Sequence, residues 1–380
     1  MKLYLPIVML LVLVSGLQPV RAADASDSFR GGRWGVEASY LVGKIFKHSP
    51  KVNHVPHELS QGFQIDVYKK TLGEQPWHKP LNFPEFGGTL LFIRFGENKI
   101  FGDVIALMGY GKFYMYRSKV VDLYTRVGAG YGYITKKYDY LTNPTNNLIS
   151  SNINLSVQIK IGAEWKLTPN VQLSSTFAFN HLSNSAANLP NYGANLLMGS
   201  IGIKAIPMVK DLYYNCERHR DFLHNEIAAM YVLGIQETYG FNGPKFPIHS
   251  AVLTYARYTS PGNKIFGGFC YEYVRAVHDF LNYNEITTRY SHTMEATTAS
   301  FVVGDEIMLG RVGMYYSAGI YLWKDYATIN PMYFRLGANV YFAQFGRKHA
   351  FKLFGGNYVK AHTSVAQSNQ FSLGGAVAFR

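Results

Sequence analysis

Long hydrophobic runs are missing from this sequence. Beyond residue 23 no apolar stretch reaches the roughly 18 residues that a membrane-crossing helix needs, which excludes a transmembrane helix. Cysteine is nearly absent: Cys216 and Cys270 are the only two in 380 residues. They sit in no metal-type Cys/His spacing, so no metal and no cofactor are expected. Their pairing as a disulfide stays open. His54 and His57 form a lone His-x-x-His in a loop with Pro50 and Pro56, a pattern more often solvated than metal-binding. Acidic residues are few, 24 Asp and Glu against 37 Lys and Arg, for a formal net charge of +13.

The abundant residues are 29 Tyr, 25 Phe and 36 Gly, a composition that suits the sheet of a membrane barrel. Residues 1–22 read as a signal peptide. Lys2 is its basic start, Leu5 to Val14 its apolar run, and Val20-Arg21-Ala22 its small-residue cleavage site. It carries two basic residues, Lys2 and Arg21, and no acid, so 13 − 2 leaves the mature chain near +11. A basic exported chain suits anionic partners. Phosphorylated lipid headgroups fit that charge and nucleic acid does not fit that compartment. General surface charge explains it equally.

Period-two alternation is the clearest signal. In 152–167, Ile153, Leu155, Val157, Ile159, Ile161, Ala163, Trp165 and Leu167 alternate with Asn152, Asn154, Ser156, Gln158, Lys160, Gly162, Glu164 and Lys166. Side chains alternate faces along a strand, so one face is oily and the other wet. The pattern recurs in 121–133, where Arg126 opposes the apolar face, and in 332–342, where Arg335 does. In lipid an open sheet leaves edge groups unpaired, so the sheet must close.

The fold expected is therefore all-β, a transmembrane antiparallel β-barrel of the outer membrane. Eight strands are expected near 33–43, 61–70, 86–96, 101–116, 119–134, 151–167, 171–183 and 193–206. Eight more are expected near 219–238, 247–259, 264–276, 294–308, 310–323, 331–345, 350–362 and 370–379, with 207–218 as a connector. A single barrel of about 14–16 strands is favoured. The alternative is an eight-stranded barrel over 23–206 plus a second β unit over 219–380. Connection 71–85 is long for a periplasmic turn, a sign that the count is off by one there.

One strand end carries reactive groups. In 171–183, Val171, Leu173, Phe177 and Phe179 share the oily face, and His181 and Ser183 continue it. Polar groups facing lipid are costly unless they lie at the interface or act on a lipid. A hairpin centred on Asn188 sets His181 opposite Asn195, where directly paired Cβ atoms are about 5 Å apart. Ser183 then serves as nucleophile, His181 as general base and Asn195 as the acceptor that fixes the ring tautomer. Backbone amides in 184–187 and Asn191 are candidates to hold an oxyanion. With the mature N-terminus on the periplasmic side, the loop after the seventh strand emerges outside. By itself, a His-x-Ser pair reads as well as polar residues in an interfacial girdle. A second copy, His362-Thr363-Ser364, follows Lys352, Tyr358 and Lys360, which places His362 towards the lumen. Ala376 stands where Asn195 stands in the first copy, so His362 reads as structural.

The run His181-Leu182-Ser183-Asn184 followed by Pro190-Asn191-Tyr192-Gly193-Ala194-Asn195 resembles the lipid A 3-O-deacylase family (PagL-type, acyloxyacyl hydrolases) in its longer, Bacteroidetes-like form. The likeness extends through Thr135–Asp139, Asn143–Asn147, Thr71-Leu72-Gly73 with Trp77, and Phe83-Pro84 with Gly87. It covers 33–206 well and the tail from Lys360 more faintly. It implies an outer-membrane hydrolase that removes a 3-hydroxyacyl chain from lipid A of lipopolysaccharide. Ser183 falls on the nucleophile, His181 on the base and Asn191 on the oxyanion donor. Asn184 and Gly193 lie in the same oxyanion and substrate region. Asn195 stands where the short form has a glutamate. Lys136 and Lys137 are candidates for the lipid A phosphates. The expected partners are lipopolysaccharide and outer-membrane lipid, with a homodimer left open. Two other functions compete: a non-enzymatic barrel, porin-like or a secretion-machine partner, and an esterase acting on phospholipid.

Overall fold

The computed structural model describes residues 34–380 except 74, 207–222, 239, 241–242 and 363–364. The signal peptide, the 207–218 connector, Cys216, Thr363 and Ser364 lie outside the described residues.

Eight strands form the first unit: β1 Trp34–Ile45, β2 Ser60–Lys70, β3 Glu85–Arg94, β4 Asp103–Arg117, β5 Val121–Ile134, β6 Ile153–Thr168, β7 Val171–Ser183 and β8 Ala194–Ala205. They close as an antiparallel barrel through β1 against β8. The second unit comprises β9 Asn225–Glu237, β10 Lys245–Ser260, β11 Asn263–Val274, β12 Thr297–Leu309, β13 Val312–Trp323, β14 Met332–Phe345, β15 Phe351–His362 and β16 Val365–Phe379. It closes through β16 against β9. The sixteen strands thus make two eight-stranded barrels, and the favoured single barrel is corrected to its alternative. Alternation specifies which face of each strand meets lipid. It does not specify which strand pairs last, so strand positions were readable and closure was not.

The faces are reversed relative to a water-soluble barrel. On β2, exposed Phe63, Ile65 and Val67 alternate with buried Gln64 and Asp66. On β6, exposed Ile153, Ile161 and Trp165 alternate with buried Asn154, Ser156, Gln158, Lys160 and Glu164. An oily exterior around a polar interior is the surface of a membrane-spanning barrel.

Most charge inside the first barrel is paired, while buried Lys160 donates to Gln64 Oε1 at 2.8 Å. Lys112 meets Glu164 at 2.5 Å, and Lys204 meets Glu85 at 2.7 Å and Glu164 at 2.8 Å. Arg126 holds Asp66 through both of its terminal nitrogens, at 2.8 and 3.0 Å. The second barrel repeats the device with other residues. Lys264 lies 2.5 Å from Glu226 and 3.0 Å from Glu306, and Lys360 lies 2.5 Å from Glu272. Eight strands enclose only enough room for side chains. Among the described residues, buried side chains occupy the interior of each barrel. Cys270 belongs to the second filling, buried beside Arg335.

Long and short connections segregate by end in the first barrel. Segments 46–59, 95–102, 135–152 and 184–193 lie at one end, and 118–120 and 169–170 at the other. The exception is 71–84, at the short-turn end. Its length is real and does not disturb the strand count. It folds as a cap, with Thr71 donating to the Pro84 carbonyl at 2.7 Å and Trp77 and His78 buried. At the long-loop end an apolar layer including Leu41, Ile93, Val104, Leu182, Leu196 and Met198 fills the interior.

Removing one member of a buried pair leaves the other uncompensated. Arg126→Ala is expected to destabilise the first barrel by about 3–5 kcal/mol. The check is a lowered urea midpoint for the loss of heat-modifiable gel mobility.

Candidate active site

The β7–β8 ladder pairs His181 with Asn195 and Leu182 with Ala194. Near the long-loop end the two faces exchange character. Leu182, Ala194 and Leu196 point into the apolar layer, while His181, Ser183 and Asn195 continue the outward face of Phe177, Phe179 and Leu197. The polar groups are thus outside the barrel wall and not in a lumen.

His181 Nδ1 lies 2.5 Å from Asn195 Oδ1, and His181 Nε2 lies 3.0 Å from Ser183 Oγ. The Asn195 oxygen accepts only, so Nδ1 carries the proton. Nε2 then presents its lone pair to the Ser183 hydroxyl, the tautomer a general base needs. Ser183 is 4% exposed and Asn195 7%.

The turn beyond Ser183 is tightly bent. Ser185 and Ala186 take φ of 54° and 63°, a left-handed conformation uncommon for side-chain-bearing residues. The Asn184 amide donates to Asn191 Oδ1 at 3.1 Å, and the Asn184 side chain donates to Ser150 Oγ at 3.1 Å. The Asn184 amide is thereby committed, and the Asn191 carboxamide is oriented with its NH2 as the group left to donate. Gly193 has φ of 78°, and a Cβ there would lie 2.7 Å from His181 Cε1. Only glycine satisfies both the backbone and the ring.

Two connections, 46–59 and 135–152, converge on this turn, through residues that loop sequence does not reveal. His48 Nε2 donates to the Tyr192 carbonyl at 2.8 Å. The Gly193 amide donates to the Leu148 carbonyl at 2.9 Å. Asn147 joins segment 46–59 to segment 135–152, donating to the Lys51 carbonyl at 2.7 Å and accepting from the Asn53 amide at 3.2 Å. One signal for His48 exists. The period-two face of β1, continued past its end through Lys44 and Phe46, arrives at position 48. Phe46 packs on Phe179 with centroids 6.2 Å apart, and Phe179 stacks on His181 at 6.4 Å.

Lys136 and Lys137 are exposed on segment 135–152. Lys136 packs beside Gly102 in the β3–β4 connection, well round the barrel from the β7–β8 hairpin. His54 binds Glu97 rather than standing solvated, and the His57 amide donates to the same carboxylate at 2.9 Å. These bonds, His54 first, hold the Glu97 carboxyl below its usual range. In the second barrel His362 meets the Tyr321 hydroxyl at 2.7 Å. Its cross-strand partner is Val365, and Ala376 pairs instead with Lys352, so the expected equivalence of Ala376 with Asn195 fails.

The contact between Gly193 and the ring sets a sharp expectation. Gly193→Ala should lower hydrolysis of a p-nitrophenyl acyl ester at least about tenfold, since loss of base positioning forfeits part of a 10²–10⁴ contribution. Heat-modifiable mobility of the barrel should persist.

A family model described as lipid A 3-O-deacylase (PagL) matches residues 61–204. No curated protein matches the chain. Among solved structures, Neisserial surface protein A is 11% identical, with a TM-score of 0.30, and covers 46% of this chain and 97% of its own. The outer membrane enzyme PagL is 13% identical, with a TM-score of 0.29, and covers 45% of this chain and 99% of its own. The family match thus falls within the first barrel, over β2 to β8, and it is the lipid A 3-O-deacylase family that this stretch, with Ser183, His181 and Asn195 in it, resembles.

Proposed function

We propose that the first barrel is an outer-membrane serine esterase that removes an ester-linked 3-hydroxyacyl chain from lipid A. The observation that carries this reading is one imidazole contacting both Asn195 and Ser183 on the outward face of a membrane barrel. The lipid A 3-O-deacylase match over 61–204 supports the substrate class.

In the reaction, Ser183 Oγ attacks the acyl carbonyl while His181 Nε2 takes its proton. The Asn191 NH2 faces the developing oxyanion. The tetrahedral intermediate collapses with cleavage of the bond to the sugar oxygen, which receives the proton from Nε2. Water, deprotonated by the same nitrogen, then releases the fatty acid from Ser183. Asn195 fixes the ring but supplies no negative charge to the imidazolium, so turnover is slower than with a carboxylate at that position.

The buried and largely paired side chains inside both barrels, among the described residues, speak against a porin, whose lumen is a water-filled channel. The phospholipid esterase alternative shares the site and is separated by offering phosphatidylethanolamine.

Lipid A from cells expressing the wild-type chain should be lighter by one hydroxyacyl chain than lipid A from cells expressing Ser183→Ala. Equal acylation in the two overturns the proposal. Asn195→Ala should lower kcat about a hundredfold, within the range for a mispositioned base, with a smaller change in KM.

A further inference from the structure

The outward face of β1 carries a cation beside the site. Lys44 pairs with Leu197 across the β1–β8 seam, and Leu197 pairs with Phe179. This row lies one outward rung below His181, Asn195 and Phe46, whose amide donates to the Asn195 carbonyl at 3.0 Å. Successive outward residues on a strand are roughly 7 Å apart. The exposed Lys44 therefore sits among apolar side chains, one outward rung below His181 and two below Ser183, with β8 between its strand and theirs. Lys47, also exposed, follows Phe46 at the start of the 46–59 connection.

Neither lysine has a carboxylate within ion-pair distance among the described residues. Each described acid at this end of the first barrel is engaged elsewhere. Glu58 accepts from the Glu97 amide at 3.2 Å, and Glu97 is bound by His54 and His57. Asp139 accepts from the Leu141 and Thr142 amides at 3.0 and 2.8 Å. Asp103 pairs with Arg94 at 3.1 Å. The Arg94–Asp103 pair is the useful contrast. It is an exposed cation on the same barrel, at the same end, and it is supplied with its own anion.

Cations near a lipid surface gain by meeting phosphate, by an amount equivalent to roughly fivefold in affinity per lysine. We propose that Lys44 and Lys47 form a phosphate subsite for the headgroup of the lipid whose ester reaches Ser183. This inference rests on the esterase reading for its geometry and adds what that reading lacks, a reason for preferring a phosphorylated substrate. It places the subsite at the β8–β1 seam rather than at Lys136 and Lys137.

The test uses the full chain in dodecyl maltoside micelles with two probes, phosphorylated lipid A and the same lipid A stripped of its phosphates. Binding is measured with the Ser183→Ala chain, so that no turnover intervenes. The phosphorylated lipid should bind at least about fivefold more tightly, with the preference falling as salt rises. Lys44→Ala with Lys47→Ala should bring the binding ratio towards one, and Lys44→Arg with Lys47→Arg should keep it. An unchanged ratio in the alanine pair overturns the subsite. Initial rates with Ser183 intact should show the same ratios. Absence of turnover on both lipids defeats the esterase reading alone, because the binding ratios still decide the subsite.

Discussion

The site depends on one cross-strand pair. A strand alternates faces unless a bulge interrupts it, and the β7–β8 ladder runs without one, so the register that sets His181 opposite Asn195 also turns Leu182, Ala194 and Leu196 inward. A slip of one residue would send the imidazole into the apolar layer and the leucines towards lipid. The hydrogen bond between Asn195 and the ring and the packing beneath it are two consequences of the same register. The candidate site groups therefore stand at strand ends, within the hydrogen-bonded ladder or next to it, and only their surroundings are left to loops.

The interior packing supports those strand ends from within. Lys112, Lys204, Glu37, Glu85 and Glu164 interlock near the short-turn end of the first barrel, while aliphatic side chains fill the long-loop end. Buried charge is costly alone and tolerable in a satisfied network. The second barrel solves the same problem with Lys264, Glu226, Glu306, Arg335, Glu272 and Lys360. Among the described residues it holds no histidine–serine contact resembling that of the first.

Much of this was legible because membrane strands write their faces into the sequence. Ile153 to Leu167 alternates so cleanly that its outward and inward sets follow from parity alone. The His181–Asn195 pairing followed from centring one hairpin on Asn188. Closure was not legible, since β1 meets β8 through contacts distant in sequence. The roles of His48 and Asn147 were hidden because irregular segments carry no period. The committed Asn184 amide was hidden because it depends on the left-handed turn at Ser185 and Ala186. Lys44 was readable as an outward residue of β1, but that no described carboxylate pairs with it appears only when the strands are assembled.

The central claim is that Ser183 is a nucleophile activated by His181. Peptide mass mapping after treatment with a lipid-like fluorophosphonate tests it without assuming a substrate. A covalent adduct is expected on Ser183 in the wild-type chain and its loss in His181→Ala. An adduct on another residue, or equal labelling of Ser183 in both chains, would contradict it.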